Sequence, residues 1–165
     1  ELDFLLIDLP PGTGDIHLSI MQALPITGAV VVSTPQPVAL ADARRAVAMF
    51  GQENINVPVL GIVENMAYFT PEELPNNKYY IFGKEGAKHL AGELKVPFLG
   101  EIPLVQAVRE AGDTGQPIAL QEGSPQAKAF HSLAQEVVKN VVARNETLPP
   151  SEAIKITNMA GCGSK

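Results

Sequence analysis

The apolar runs of this chain are continuous rather than alternating, and that limits the folds open to it. "LDFLLID" (Leu2–Asp8), "GAVVVST" (Gly28–Thr34), "PVLGIVEN" (Pro58–Asn65) and the shorter "PFLGEIP" (Pro97–Pro103) are apolar at odd and even positions alike. A strand with one wet face turns polar at every second residue, whereas a strand covered on both faces does not. Between these runs lie segments with helical spacing. Ile16–Leu24 is stopped by Pro25, Val38–Glu53 carries Ala, Val, Met and Phe at helical intervals, and Lys84–Leu94 and Leu104–Gly112 follow. Ser124 and Pro125 supply an N-cap and a first helical residue for a last helix, Pro125 to about Asn145. Its expected buried face is Ala127, Phe130, Ala134, Val137 and Val141. Strand and helix alternate without a hairpin signal. The expected fold class is therefore α/β, a parallel sheet with helices on both faces.

Between the third run and the next helix, Met66–Phe82 is polar, with two prolines and paired asparagines, and reads as a long loop. Glu146–Lys165, with Pro149 and Pro150, reads as a flexible tail. The chain starts at Glu1 without a methionine and enters a core-type strand within a few residues. It is therefore expected to be the C-terminal portion of a longer protein, with much of the sheet upstream. At 165 residues, 45% hydrophobic and 18% charged, it has the composition of one globular domain. The net charge of −6, without a run of five like charges, argues against nucleic acid as a partner. Apolar segments stop short of the roughly 18 residues that a membrane span needs. A single cysteine, Cys162, leaves no internal disulfide and suits a reducing compartment, so the expected location is the cytoplasm.

In open α/β sheets ligands bind outside the carboxyl ends of the strands, and three such ends carry polar residues: Asp8, Thr34 and Asn65. An aspartate closing an apolar strand is what nucleotide hydrolases use to hold Mg²⁺, directly or through water. Gly12, without a Cβ, can bring its N–H close to a terminal phosphate. Asp15 can cap the next helix or position a water. The alternative is that Asp8 caps a turn stiffened by Pro10 and Pro11. Gly12 and Gly14 do not begin a dinucleotide fingerprint, because His17 occupies the place of its third glycine. His17, His89 and His131 fall on separate expected helices and read as ordinary, partly exposed histidines.

"DFLLIDLPPGTGD", "VVVSTPQPVALADARRAVAMF", "GIVENMAYF", "FGKEGAKHLA" and "EIPLVQAVREAGDTGQPI", in that order, resemble the Mrp family of P-loop ATPases, relatives of MinD and ParA. The resemblance covers roughly Glu1 to Val142. It implies an ATP-binding carrier or assembly factor for iron–sulfur clusters that works as a nucleotide-sandwiched homodimer and serves apo iron–sulfur proteins. Residues 1–145 would then be the C-terminal part of a single P-loop ATPase domain, and 146–165 its tail. The resemblance further implies that Asp8 is the Walker B acid for Mg²⁺. Pro10 to Asp15, including Pro11, would be switch II, with Gly12 sensing the γ-phosphate. Asn65 would recognise adenine through its side-chain amide, a group with one donor and one acceptor face. Pro103 would wall the base, and Thr34-Pro35-Gln36 would close the first of the later strands beside the nucleotide.

Two departures qualify what the resemblance implies. No G-x-x-x-x-G-K-S/T loop is present, and the only Gly-Lys pair, Gly83-Lys84, is followed by Glu85. Without that loop little holds the β- and γ-phosphates, so this polypeptide alone is expected not to hydrolyse ATP. The C-x-x-C pair that most Mrp-type proteins carry after "ENM" is also absent, since the loop reads "AYFTPEELPNNKYYIFG". Cys162 is left as one thiolate per subunit for a shared 4Fe–4S cluster, or as an incidental thiol. Two rival readings are a MinD- or ParA-like positioning ATPase and a non-catalytic module on a nucleotide-binding fold. The first predicts a basic amphipathic membrane-targeting end, and "TLPPSEAIKITNMAGCGSK" is Pro-broken and only weakly basic. No membrane partner is expected.

Overall fold

The computed structural model describes residues 2–71, 73–74, 76–121 and 123–154. Its elements run α1 (Asp15–Ala23), β1 (Ala29–Ser33), α2 (Pro37–Phe50), β2 (Val59–Phe69), α3 (Gly86–Leu94), β3 (Phe98–Leu104), α4 (Gln106–Asp113), a 3₁₀ turn (Ile118–Leu120) and α5 (Pro125–Thr147). The strands form one parallel sheet in the order β1–β2–β3. Both faces are covered over β2, which is why its run is apolar at successive positions, while Val32 of β1 is 60% exposed. Val31 and Ile62 face Ala43 of α2 and Ala87, Leu90 and Ala91 of α3. Val63, Leu99 and Ile102 face Ala129, Phe130, Leu133 and Val137 of α5. Adjacent Ile62 and Val63, on opposite faces, are 0% and 2% exposed.

A third cluster closes the end where the strands begin, from Met21 of α1, Ala29, Met49, Phe50, Ile55 and Val57. Ile154 packs against it, and its N–H donates to the Met21 carbonyl at 3.0 Å. The chain beyond α5 therefore returns to α1 at this point. α5 itself begins as its sequence indicates: Ser124 Oγ accepts the Ala127 N–H at 2.9 Å, and Pro125 follows. The helix continues to Thr147, past the expected end. On its sheet-facing side Leu133 takes the place expected for Ala134, which is exposed.

The largest correction concerns Leu2–Asp8, which is not a strand. It pairs with no described residue, and Leu2, Phe4, Leu5 and Leu6 are exposed, Leu6 by 87%. A central strand needs hydrogen-bond partners on both edges as well as cover on both faces. Neither is supplied here, so four large apolar side chains forgo burial that is worth roughly 1.5–3 kcal/mol each. Among the described residues the sheet thus has three of the four expected strands.

A second correction extends β2 beyond Asn65 to Phe69, into what the sequence presents as loop. "MAYF" is apolar enough to continue the strand: Ala67 is buried, and Phe69 is in register with Leu104. Met66, at φ +53°, makes the irregularity that lets pairing resume. Phe69 also bridges antiparallel to Tyr79, each N–H donating to the other's carbonyl at 2.8 Å, which closes the following loop on itself.

Candidate functional site

Three adjacent parallel strands bring their carboxyl ends to one edge, and the register sets which residues meet there. Ser33 is level with Glu64, Glu64 with Glu101, and Asn65 with Ile102, one residue before Pro103. Thr34 follows β1 directly, and its hydroxyl donates to the Gln36 side-chain carbonyl. Gln36 is the N-cap position of α2 and Pro37 its first residue, so β1 passes into α2 through a tight Thr34-Pro35-Gln36 corner. Thr34, Asn65 and Pro103 are thus gathered along this edge, all half-buried. Asn65 Oδ1 accepts the N–H of Met66 at 2.9 Å, which leaves its amide NH₂ and one oxygen lone pair for a ligand.

The other sequence candidates are not drawn into this edge. Asp8, Pro10, Pro11, Gly12 and Asp15 lie on the exposed stretch that leads into α1. Among the described residues none of their side chains hydrogen-bonds or ion-pairs with Thr34, Asn65 or Pro103. Gly12 adopts φ +99°, a conformation that an L side chain strains to reach, so its glycine has a backbone reason. Asp15 does not cap α1. Gly14 holds the cap position, and Asp15 lies in the first turn, where its charge favours the helix dipole. Cys162 lies outside the described residues. Among those residues no three His, Cys, Asp or Glu side chains gather as a metal site. Of the histidines, His17 differs from expectation: it is buried on α1, with Nδ1 lacking a partner.

Sequence reasoning passed over Glu64. It is 1% exposed, inside β2, with one carboxylate oxygen accepting the Ala87 N–H of α3 at 2.6 Å. Its other oxygen, Oε1, is buried without a partner. Burial pushes the Glu64 carboxyl above its usual range, and the neighbouring Glu101 adds to this, while the amides of Ala87, Lys88 and Glu85 pull the other way. A charged residue inside "GIVENM" was the available signal, because carboxylates are almost never fully buried without partners. Beside it, the half-buried Glu85 is held below the usual carboxylate range by Lys88, which bonds it at 2.8 Å.

The loop that lacks cysteines is organised by aromatics instead. Lys78 Nζ sits 3.7 Å from the Tyr68 ring centroid, and Tyr68 meets Tyr80 edge-on at 6.4 Å. A groove of about 410 Å³ between Pro25, Thr27, Arg144 and Ser151 includes none of the candidate residues.

Residues 1–138 match the family described as ParA: NUBPL iron-transfer P-loop NTPase. The chain belongs to this family. It is 48% identical over 147 residues to the mouse iron–sulfur cluster transfer protein NUBPL, covering 88% of this chain and 45% of that protein. The chain thus spans less than half the length of that relative. Among solved structures, the Archaeoglobus fulgidus nucleotide-binding protein in complex with ADP superposes with a TM-score of 0.65 at 43% identity, over 79% of this chain and 51% of that one. The Pyrococcus furiosus cell division ATPase MinD superposes at 0.61 with 27% identity, over 83% and 52%. The α/β fold of this NUBPL-family chain is that of the MinD-like P-loop NTPases. No helix among the described residues is long and apolar enough to cross a membrane.

Proposed function

We propose that this chain supplies the base-recognition edge and the switch segment of an ATP-binding and ATP-hydrolysing carrier of iron–sulfur clusters. The observation that carries the reading is the gathering of Thr34, Asn65 and Pro103 along one carboxyl edge, in a member of the NUBPL family. Asn65 offers a donor pair and an acceptor lone pair to an adenine edge, and Pro103 offers an apolar wall for the ring. Residues 1–145 act as the C-terminal part of one P-loop ATPase domain. A glycine-rich phosphate loop from the part of its relatives that this chain does not span completes it, and without that loop the chain alone is inactive.

Asp8 is exposed, with no hydrogen-bond partner among the described residues. Such a carboxylate fits Mg²⁺ as one protein ligand, with phosphate and water supplying the remaining oxygens. When bound, that ion neutralises charge on the transferred phosphoryl group. The Pro10-Pro11 pair stiffens the segment after Asp8, and Gly12 leaves its N–H unshielded for a terminal phosphate. ATP binding clamps two subunits and hydrolysis releases them, a shift between two states that loads or frees the cargo. The cluster is cargo. The described residues do not fit it, since none is a cysteine, and Cys162 is the thiolate available to it, one from each subunit.

The test uses the complete polypeptide. Asp8→Ala abolishes Mg²⁺-dependent ATP turnover while circular dichroism stays unchanged, and undiminished turnover would remove the magnesium role. Anaerobic reconstitution that loads about one 4Fe–4S cluster per dimer, lost in Cys162→Ser, supports the cargo role of the tail thiol.

A further inference from the structure

The N-terminus of α3 is wedged between two of the strand ends that carry the candidate site. On one side, a Cβ built at Gly86 would lie 2.6 Å from the Pro35 carbonyl oxygen, so only glycine allows this approach to the corner after β1. On the other side, the Glu64 carboxylate of β2 takes the Ala87 N–H. No side chain from the turn before α3 caps the helix, and its cap residue, Glu85, is in the left-handed region at φ +54°. A helix start leaves amide donors unsatisfied, and here the acid that meets them comes from another element. Glu64 is therefore both the cap of α3 and the residue immediately before Asn65.

We propose that Glu64 is a positioning residue for nucleotide-base recognition: by locking the end of β2 onto the start of α3, it fixes the direction in which Asn65 presents its amide. The physical link is the pleat. Successive side chains of a strand leave opposite faces, so a carboxylate pinned on the α3 face commits its neighbour to the α5 face, beside Ile102. Directly after Asn65 the backbone turns at Met66, so Asn65 is the last residue of β2 before that irregularity. Without the Glu64–Ala87 bond this part of β2 would be held by its ladders to β1 and β3 alone, with the pairing to β3 already irregular just beyond Asn65. The proposal rests on Asn65 contacting the base, as set out above.

Charged groups surround this clamp from each packed element. β3 brings Glu101, α3 brings Glu85 and Lys88, and β1 brings the neutral Ser33. The Glu64 carboxyl is raised in the folded protein, so its contribution to stability is fully present below the unfolded value near 4.5 and is lost as pH rises through the folded value. Glu64→Gln keeps an oxygen acceptor for the Ala87 N–H and removes the charge. Its melting temperature therefore gains on that of the parent as pH rises above 4.5, a trend that a surface carboxylate would not produce.

The decisive experiment measures ATP and GTP affinities of the complete polypeptide at constant pH. Glu64→Ala lowers ATP affinity by about tenfold, the effect of a coupling of about 1.4 kcal/mol between neighbouring groups, and narrows the ATP/GTP ratio by the same factor. Glu64→Gln restores both. If Glu64→Ala does not fold, Glu64→Asp, which withdraws the carboxylate by one methylene, narrows the ratio in the same direction. In an Asn65→Ala background the Glu64 substitution has no further effect on the ratio. If Asn65→Ala weakens ATP binding but the Glu64 variants leave the ratio intact, the positioning role is overturned and the base site stands. If Asn65→Ala itself changes nothing, the base-site reading fails and the positioning role falls with it.

Discussion

Leu2–Asp8 and the interior of β2 are written in the same apolar language and end in different surroundings. Ile62 and Val63 are enclosed by helices on both faces and by strands on both edges, whereas Leu2, Phe4, Leu5 and Leu6 stand in solvent. The difference teaches that a continuous apolar run reports the environment a segment requires, not whether a given stretch of chain supplies it. Faces can be covered by local helices, but edges need partners from distant sequence. β2 has β1 and β3 within this chain, and residues 2–8 have no partner among those described.

The comparison can be broken most directly by truncating matched side chains. Ile62→Ala should destabilise the fold by about 2–5 kcal/mol, while Leu6→Ala in this same chain should stay within about 0.5 kcal/mol, as read from denaturant midpoints. Equal costs would mean that residues 2–8 are packed after all. In the longer polypeptide proposed above the Leu6 effect should rise towards that of Ile62, which would identify the rest of that polypeptide as the edge partner of residues 2–8. A smaller effect tests the wedge that holds the site edge together. Gly86→Ala should cost about 1–3 kcal/mol in the same assay, because its new methyl meets a backbone oxygen of Pro35 that cannot swing aside. A neutral result would mean that α3 can withdraw from the corner after β1 without penalty. Smallest is the loop. Lys78→Ala should cost about 0.5–1 kcal/mol through the lost contact with Tyr68, and should raise hydrogen exchange at the Phe69 and Tyr79 amides but not in β2 before Met66.

Much of the fold was legible because it is set by local chemistry. Pro25 lies just beyond the end of α1, Ser124 and Pro125 start α5, and alternating covered runs and helical spacing produce a parallel sheet. Of the edge, Thr34 was legible just beyond β1, whereas Asn65, expected to close its strand, lies inside β2 four residues before its end. Residues 66–69 were not legible, since four residues beside a polar loop give periodicity too little to work with. The place of Asp8 was not legible either, because it depends on whether its strand pairs.

The sequence by itself determined the α/β class, the capped start of α5 and the polar residue just beyond β1, because burial pattern and capping act over a few residues. Tertiary structure alone decided which strands pair, and it alone turned Glu64 from an anomaly in an apolar run into the cap of a helix 23 residues away. The physical reason is the same for both. A hydrogen bond between distant segments depends on where two backbones meet, and no local preference of either segment contains that position.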